Sequence, residues 1–190
     1  MARYDKEHKQ ATRRRILDTA GHRFKIDGID GSGVATLMAD AGLTNGAFYA
    51  HFSSKDDLVA NVVADQLRSQ ARSFSELAPG RAGLEEFLRE YLSPRHRDNP
   101  GAGCPSAALL DEIGRCTTAT RDAYTDGARS IVDEIAVRLA PEDPRSAYGK
   151  ALALYTMAVG TLQLSRALSD PKFADEVLEQ GLQNALAFLR

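Results

Sequence analysis

The 190-residue sequence contains no tryptophan, only two cysteines and only seven prolines. Cys104 and Cys116 have no CxxC spacing and no histidine cluster beside them, so neither a zinc site nor a disulfide framework is expected. The patterns of an enzyme are missing as well. Cys104 or Ser106 could be paired with His96 as nucleophile and base, but no nucleophile elbow, phosphate-binding loop or pair of acids accompanies them. We therefore predict a protein that is not an enzyme and has no metal or other cofactor.

Long apolar runs are also absent. No stretch of 18 apolar residues suggests a transmembrane span, and the charged start MARYDKEHKQ lacks the apolar centre of a signal peptide. We therefore expect a cytoplasmic protein without a membrane partner. There is no convincing strand pattern and no internal repeat, whereas apolar residues recur at helical spacing along most of the chain. The sequence predicts an all-α fold of about nine helices. They include a long helix from Ser54 to about Leu77, which starts with hydroxyl caps, and a fifth helix from about Ala82 to Arg97.

The net charge of −2 is small, but the charges are unevenly distributed. Residues 1–55 hold nine lysines and arginines against six acids, a balance of +3 that leaves −5 for the rest of the chain. A basic N-terminal part on an acidic body is typical of a DNA-binding domain joined to a domain that does not bind DNA. An ordinary solvated helix face would also explain so small an asymmetry.

The residues from Ser32 to Leu58 form the most informative stretch. Four apolar residues at helical spacing predict a short helix: Val34, Leu37, Met38 and Ala41. Ser32 is the candidate for its N-terminal cap, and Gly42 ends it because a residue just past a helix commonly needs positive φ. Thr44 is placed to cap a second helix over Asn45 to Tyr49. This is the helix-turn-helix pattern that places a recognition helix in the DNA major groove.

The same stretch carries a resemblance. The string AGLTNGAFYAHFSSKDDLV resembles the DNA-binding signature of the TetR family of bacterial transcriptional regulators, a G-[LV]-[ST]-x-G-x-x-Y-x-[HY]-F run followed by an SK-containing start of the fourth helix. The similarity covers about the first 60 residues. It implies a three-helix helix-turn-helix DNA-binding domain over residues 1–53 and a helical ligand-binding and dimerisation domain over residues 54–190.

Candidate DNA contacts follow from this motif and from side-chain chemistry. Hydroxyl, amide, imidazole and ammonium groups can bond phosphates or base edges, and a glycine allows the helix to approach the duplex closely. The candidates are Thr36, Thr44, Asn45, Gly46, Ala47, Tyr49, His51 and Lys55. Thr12 and Arg13 could also approach a phosphate. For Tyr49 and His51 the alternative is a packed aromatic ring and a surface imidazole.

The body is interpreted as a sensor domain. An apolar cavity with a few polar groups is the usual composition of a small-molecule site. The candidate lining residues are Phe87, Tyr91, Cys104, Leu109, Ile113, Tyr124, Tyr155 and Gln163. Ordinary core packing is the alternative for each of them. The last two predicted helices are long and apolar, and the resemblance implies that they form a homodimer interface. The alternative is that they complete the core of the monomer.

The sequence thus predicts a homodimeric repressor that binds a palindromic operator in double-stranded DNA and is released by an unknown small-molecule inducer. Two alternatives remain open. Cys104 is predicted at a helix N-terminus, where the pKa of a thiol falls, so the repressor could sense electrophiles or oxidants through this thiol. The chain could also be a helical ligand-binding protein without DNA binding.

Overall fold

The computed structural model describes the backbone of residues 2–190 and the side chains of residues 7–190. Within that range the chain forms ten α-helices and no strand, which confirms the predicted all-α class. The helices are α1 (Ala2–Asp27), α2 (Val34–Asp40), α3 (Asn45–Phe48), α4 (Lys55–Ser73), α5 (Gly80–Tyr91), α6 (Pro94–Asp98), α7 (Pro105–Arg115), α8 (Thr118–Leu139), α9 (Tyr148–Ala167) and α10 (Pro171–Phe188). None of the helices in the described part of the chain is long and apolar enough to cross a membrane.

The tenth helix arises where the sequence predicted a single helix over residues 82–97. That stretch is divided into α5 and α6, with a break at Leu92 and Ser93. The residue before a proline is disfavoured in helical conformation, so Ser93 is extended ahead of Pro94. The Ser93 hydroxyl then caps α6 by accepting a hydrogen bond from the backbone N–H of His96 at 3.2 Å.

Helix α4 is shorter than the sequence predicted, because it ends at Ser73 rather than near Leu77. A 3₁₀ turn over Phe74–Glu76 follows it, and the Phe74 side chain is buried. The guanidinium of Arg138 in α8 donates a hydrogen bond to the Phe74 carbonyl. The Phe74 carbonyl, just past the end of α4, therefore accepts from this side chain as well as from the Leu77 N–H at 3.1 Å.

One continuous apolar core joins these helices. It runs from Ile16 and Phe24 of α1 through Leu58 and Leu67 of α4 to helices α8 and α9. Helices α4 and α8 form the most extensive helix pair, and α10 packs mainly on α9. Gly127 of α8 lies against Leu67, where an added Cβ would come within 2.5 Å of the Leu67 Cβ. The absence of a side chain at Gly127 therefore sets the close approach of α8 to α4.

Candidate nucleic-acid interface and cleft

The turn between α2 and α3 has the geometry that the sequence predicted. Gly42 has a φ of +64°, a left-handed conformation that glycine adopts without a Cβ clash. The backbone N–H of Gly42 donates to the Ala39 carbonyl and that of Leu43 donates to the Met38 carbonyl, each at 2.9 Å. Met38 of α2 and Phe48 of α3 are both buried. Two short helices are thus fixed to the core of α1 and α4 by their apolar sides.

Two of the predicted helix caps are wrong. Ser32 does not cap α2: Gly33 occupies the N-cap, while the Ser32 hydroxyl is buried and donates to the Gly28 carbonyl at 2.9 Å. Ser32 therefore stabilises the turn after α1. Thr44 does occupy the N-cap of α3, but its hydroxyl makes no capping hydrogen bond. The exposed Thr44 hydroxyl is consequently not committed to its own helix.

The start of α4 is capped as expected. The Ser54 hydroxyl accepts a hydrogen bond from the Asp57 N–H at 3.1 Å, and the Asp57 carboxylate accepts one from the Ser53 N–H at 2.8 Å. This reciprocal arrangement satisfies two free backbone donors. The hydrogen bond from the Ser53 N–H also lowers the pKa of Asp57. Lys55, the first residue of α4, is half-buried and forms no ion pair within the described residues.

The candidate DNA contacts lie on α2, on α3 and in the segment that leads into α4. Thr36, Thr44, Asn45 and Gly46 are exposed, whereas Ala47, His51 and Lys55 are half-buried. Tyr49 has 71% of its surface exposed, although its ring contacts Phe48 edge-on at a centroid distance of 5.2 Å. Apart from its chain neighbours and the backbone of its own helix, no atom of the described residues lies within 4 Å of the place where Gly46 would carry a Cβ. The outer side of α3 is therefore open to a partner.

Arg13 has a structural position. Its guanidinium donates to the His51 carbonyl at 2.5 Å and to Asn61 Oδ1 at 2.8 Å, and its central carbon lies 4.2 Å above the Phe52 ring. These contacts tie α1 to the segment after α3 and to α4. Two of the Arg13 donors are thus already used inside the protein, which leaves fewer for a phosphate.

The ring of His51 has one buried nitrogen. Nδ1 has no hydrogen-bond partner among the described residues, and burial, followed by the nearby charges of Lys9 and Arg13, lowers the pKa of His51. The imidazole is therefore neutral at pH 7. An unpaired buried Nδ1 favours the tautomer that carries the proton on Nε2, and that N–H can donate to a phosphate oxygen.

A cleft of about 1320 Å³ lies between α1, α4, α5 and the segment that precedes α7. Three of the eight candidate ligand residues line it, namely Phe87, Tyr91 and Cys104. Leu109 and Ile113 do not: each is only 2% exposed and packs in the main core.

The remaining three candidates surround Ser106 instead of the cleft. The Tyr155 hydroxyl lies 2.7 Å from Ser106 Oγ, the Tyr124 hydroxyl donates to the same oxygen at 3.1 Å, and Gln163 Nε2 donates to the Ser106 carbonyl at 3.5 Å. Burial raises the pKa of Tyr155 and of Tyr124. These groups satisfy one another in a partly buried hydrogen-bond network.

The inner end of the cleft contains Cys104, which is 6% exposed and forms the N-cap of α7 as predicted. Its thiol donates to Gln70 Oε1 at 3.2 Å, and its backbone N–H donates to His96 Nε2 at 3.0 Å. Because Nε2 accepts, the His96 proton lies on Nδ1 and is donated to the Tyr91 carbonyl at 2.7 Å. Burial lowers the pKa of His96, so this ring is neutral at pH 7.

Sequence reasoning missed two side chains at this end of the cleft, Lys25 and Gln66. Lys25 Nζ donates to the Gly103 carbonyl at 2.8 Å, and Gln66 Oε1 is buried without a partner among the described residues. Lys25 comes near the end of an amphipathic helix, a position where lysine is normally solvated. Its sequence environment therefore gave no signal of a cleft.

The fold and the exposed turn define a helix-turn-helix protein with a helical body that contains a cleft. Comparison with known proteins shows which family the N-terminal part of the chain matches. Residues 16–62 match the family of bacterial regulatory proteins described as the tetR family. The chain is 39% identical over 62 residues to the HTH-type transcriptional regulator AcrR of Shigella flexneri, covering 33% of this chain and 29% of the relative. It is 39% identical over 59 residues to the regulator TtgR of Pseudomonas putida, covering 31% and 28%.

The similarity of fold extends further than the similarity of sequence. The reduced form of NemR from E. coli has a TM-score of 0.78 at 21% identity, covering 92% of this chain and 95% of that one. A tetR-family regulator from Agrobacterium tumefaciens has a TM-score of 0.76 at 19% identity, covering 93% and 98%. Residues 16–62 thus match the tetR family of bacterial regulatory proteins, and the fold of the chain is similar to that of solved tetR-family regulators. The sequence alignments with AcrR and TtgR span less than a third of each relative. These relatives are regulators, in agreement with the prediction that the chain is not an enzyme.

Proposed function

We propose that the chain is a homodimeric transcriptional repressor. Residues 1–53 bind DNA through α3, and residues 54–190 form the dimer and bind a small-molecule inducer. The observation that carries the proposal is the open outer side of α3, where Asn45, Gly46 and, just past the helix end, Tyr49 are exposed. The apolar sides of α2 and α3 are fixed to the core. Exposed hydroxyl and amide groups at such a turn are the groups that contact phosphates and base edges in a major groove.

Dimerisation is supported by the outer surface of α9 and α10. Along α9 the residues Leu152, Gly160 and Leu164 are exposed and lie on one side of the helix, because they are separated by multiples of four. Phe173 and Phe188 of α10 are 49% and 40% exposed. A surface of this kind is expected to be buried against a second copy. Two recognition helices, one from each subunit, would then face two half-sites of a palindrome.

The decisive experiment compares Gly46→Ala with Gly114→Ala in a gel-shift assay against the DNA upstream of the protein's own coding sequence. A Cβ meets nothing within 4 Å at either glycine, so both variants should fold. We expect Gly46→Ala to weaken operator binding at least about tenfold, since the added methyl group separates α3 from the duplex. Gly114→Ala, which lies in α7 and outside residues 1–53, should bind normally.

The result also separates a regulator from a ligand-binding protein without DNA binding. If the unaltered protein shows no preference for any palindromic DNA over random duplex at moderate salt, the proposal is wrong. The dimer is tested by sedimentation of Leu152→Glu/Leu164→Glu, which should be monomeric at concentrations where the unaltered protein is a dimer.

A thiol-based sensor is the second candidate. Cys104 is the N-cap of the 11-residue helix α7, and its thiol lies near the Lys25 ammonium. The expected result is that electrophiles release the unaltered protein and Cys116→Ser from DNA but do not release Cys104→Ser. Unchanged release of Cys104→Ser would remove this candidate.

A further inference from the structure

Lys25 is a cation without a counter-ion at the inner end of the cleft. Its ammonium donates to one carbonyl, that of Gly103, and no carboxylate of the described residues lies within ion-pair distance. Its charged and ionisable neighbours are the Cys104 thiol and the Arg166 guanidinium, which itself donates to three backbone carbonyls. A partly buried ammonium that is not neutralised is unfavourable, and an anion at this place would relieve the cost.

Tyr91 presents an unused hydroxyl to the same cleft. The residue is only 4% exposed, and its OH has no hydrogen-bond partner among the described residues. The adjoining Cys104 thiol donates to Gln70, so its sulfur offers the Tyr91 hydroxyl only a weak acceptor. Buried polar groups in folded proteins nearly always have a partner, so an unpaired phenol in a cleft indicates a missing acceptor or donor. Gln66 Oε1, also unpaired, lies in the same cleft and can only accept.

The acids of the cleft do not neutralise Lys25. Glu76, Glu86 and Glu90 are exposed at the rim, and Glu90 is paired with Arg95. The other two acids that line the cleft, Asp18 and Asp65, both pair with Arg14 at 2.8 and 3.0 Å. Since His96 is neutral, the inner end of the cleft has a net positive charge while its rim carries the acids.

The adjoining wall is aromatic. The ring of Phe87 lies 5.3 Å from that of Tyr91 and 4.8 Å from that of Phe74, centroid to centroid. Leu17 and Leu77 also line the cleft. A flat apolar ring could therefore lie against this wall while a charged substituent reaches the inner end.

From these observations we propose that the cleft binds an aromatic carboxylic acid. Lys25 and Tyr91 hold the carboxylate of the ligand, and a ligand hydroxyl donates a hydrogen bond to Gln66 Oε1. This inference names the ligand class for the effector site and rests on the regulator proposed above. Lys25 belongs to α1, so the ligand would contact the DNA-binding domain directly. Its carboxylate would compete with the Gly103 carbonyl for the Lys25 ammonium, and the contact between α1 and the segment before α7 would loosen.

The test is isothermal titration calorimetry of the full-length protein, without DNA, using 4-hydroxybenzoate and its neutral analogue 4-hydroxybenzamide. We expect the acid to bind at least about tenfold more tightly than the amide, the difference that one charge-assisted hydrogen bond supplies. Lys25→Met and Tyr91→Phe should each weaken binding of the acid at least about tenfold. Lys172 is exposed on α10, so Lys172→Met serves as the matched control and should leave the affinity for the acid unchanged.

Tyr91→Phe removes only a hydroxyl that has no hydrogen-bond partner among the described residues, so its fold should be intact even if Lys25→Met is unstable. Failure of 4-hydroxybenzoate to bind, equal affinity for the amide, or unaltered binding by Tyr91→Phe would overturn the inference. Because no DNA is present, such a failure leaves operator binding untouched. Conversely, the protein could bind 4-hydroxybenzoate but no palindromic DNA. That result would contradict the proposed DNA-binding regulator and leave the proposed ligand site intact.

Discussion

The uncompensated charge of Lys25 should be measurable in the free protein as a pH-dependent stability. Burial is the main reason why the pKa of Lys25 is lowered from 10.5 to about 8. The nearby Arg166 acts in the same direction, whereas the Cys104 thiol acts in the opposite one. In the unfolded chain the pKa returns to its ordinary value. Between pH 8 and 10.5 the unfolded state therefore holds a proton that the folded state has released. Stability consequently rises with pH through this window.

The size of the effect follows from the difference between the two pKa values. A shift of one pKa unit corresponds to about 1.4 kcal/mol, and only part of the shift is expressed between pH 7 and 9.5. The full electrostatic value in that interval is about 2 kcal/mol. Lys25 is half-buried rather than fully buried, so solvent screening reduces the expected gain to about 1–2 kcal/mol.

The assay is urea denaturation of the unaltered protein and of Lys25→Met at pH 7, 8, 9 and 9.5. Other groups titrate in this range, but they do so in both proteins, so the difference in unfolding free energy isolates Lys25. We expect the unaltered protein to gain about 1–2 kcal/mol relative to Lys25→Met over the interval. A difference that stays constant with pH would mean that the ammonium is well solvated or already neutralised, and the argument for an anionic ligand would lose its basis.

Three further predictions concern the DNA-binding domain and the core. Arg13→Leu should lower the free energy of unfolding by about 2–3 kcal/mol in thermal or urea denaturation, because two hydrogen bonds and the ring contact are lost together. A phosphate next to His51 would raise the lowered pKa of this residue, so operator affinity should increase about three- to tenfold from pH 8 to pH 6. His51→Gln should abolish this increase, as measured by fluorescence anisotropy titration. Gly127→Ala should destabilise the fold by about 1–3 kcal/mol through its clash with Leu67, whereas Gly114→Ala, which meets no atom within 4 Å, should not destabilise it.

The parts of the structure that could be predicted from the sequence depend on local rules. Gly42 at positive φ, the Ser54 cap of α4 and the start of α7 at Cys104-Pro105 each follow from the preference of a residue type for one backbone position. The break of the fifth helix before Pro94 follows from an equally local rule, but the apolar spacing from Leu84 to Leu92 outweighed it in the sequence interpretation.

The cleft could not be predicted in the same way, because its residues come from parts of the chain that are distant in sequence. Lys25, Gln66 and Tyr91 are brought together only by the packing of α1, α4 and α5. Helical periodicity identifies the buried side of each helix, but it does not show whether that side meets another helix or a cavity. Tyr124 and Tyr155 illustrate this, since both face inward but hydrogen-bond to Ser106 and do not line the cleft.

The arrangement around the end of α1 explains how a ligand in the cleft could alter DNA binding. Two polar contacts join this region to the segment around α7: Lys25 Nζ to the Gly103 carbonyl at 2.8 Å, and the Ile29 N–H to Glu112 Oε2 at 2.7 Å. The second contact lies beside Gly28, whose φ of +81° disfavours a side chain. An added Cβ there would also come within 3.0 Å of the Glu112 carboxylate. A carboxylate that attracts Lys25 would weaken the first contact and leave the second in place. Helix α1 would then rotate about Gly28 and Ile29, and in a symmetric dimer that rotation would change the distance between the two copies of α3.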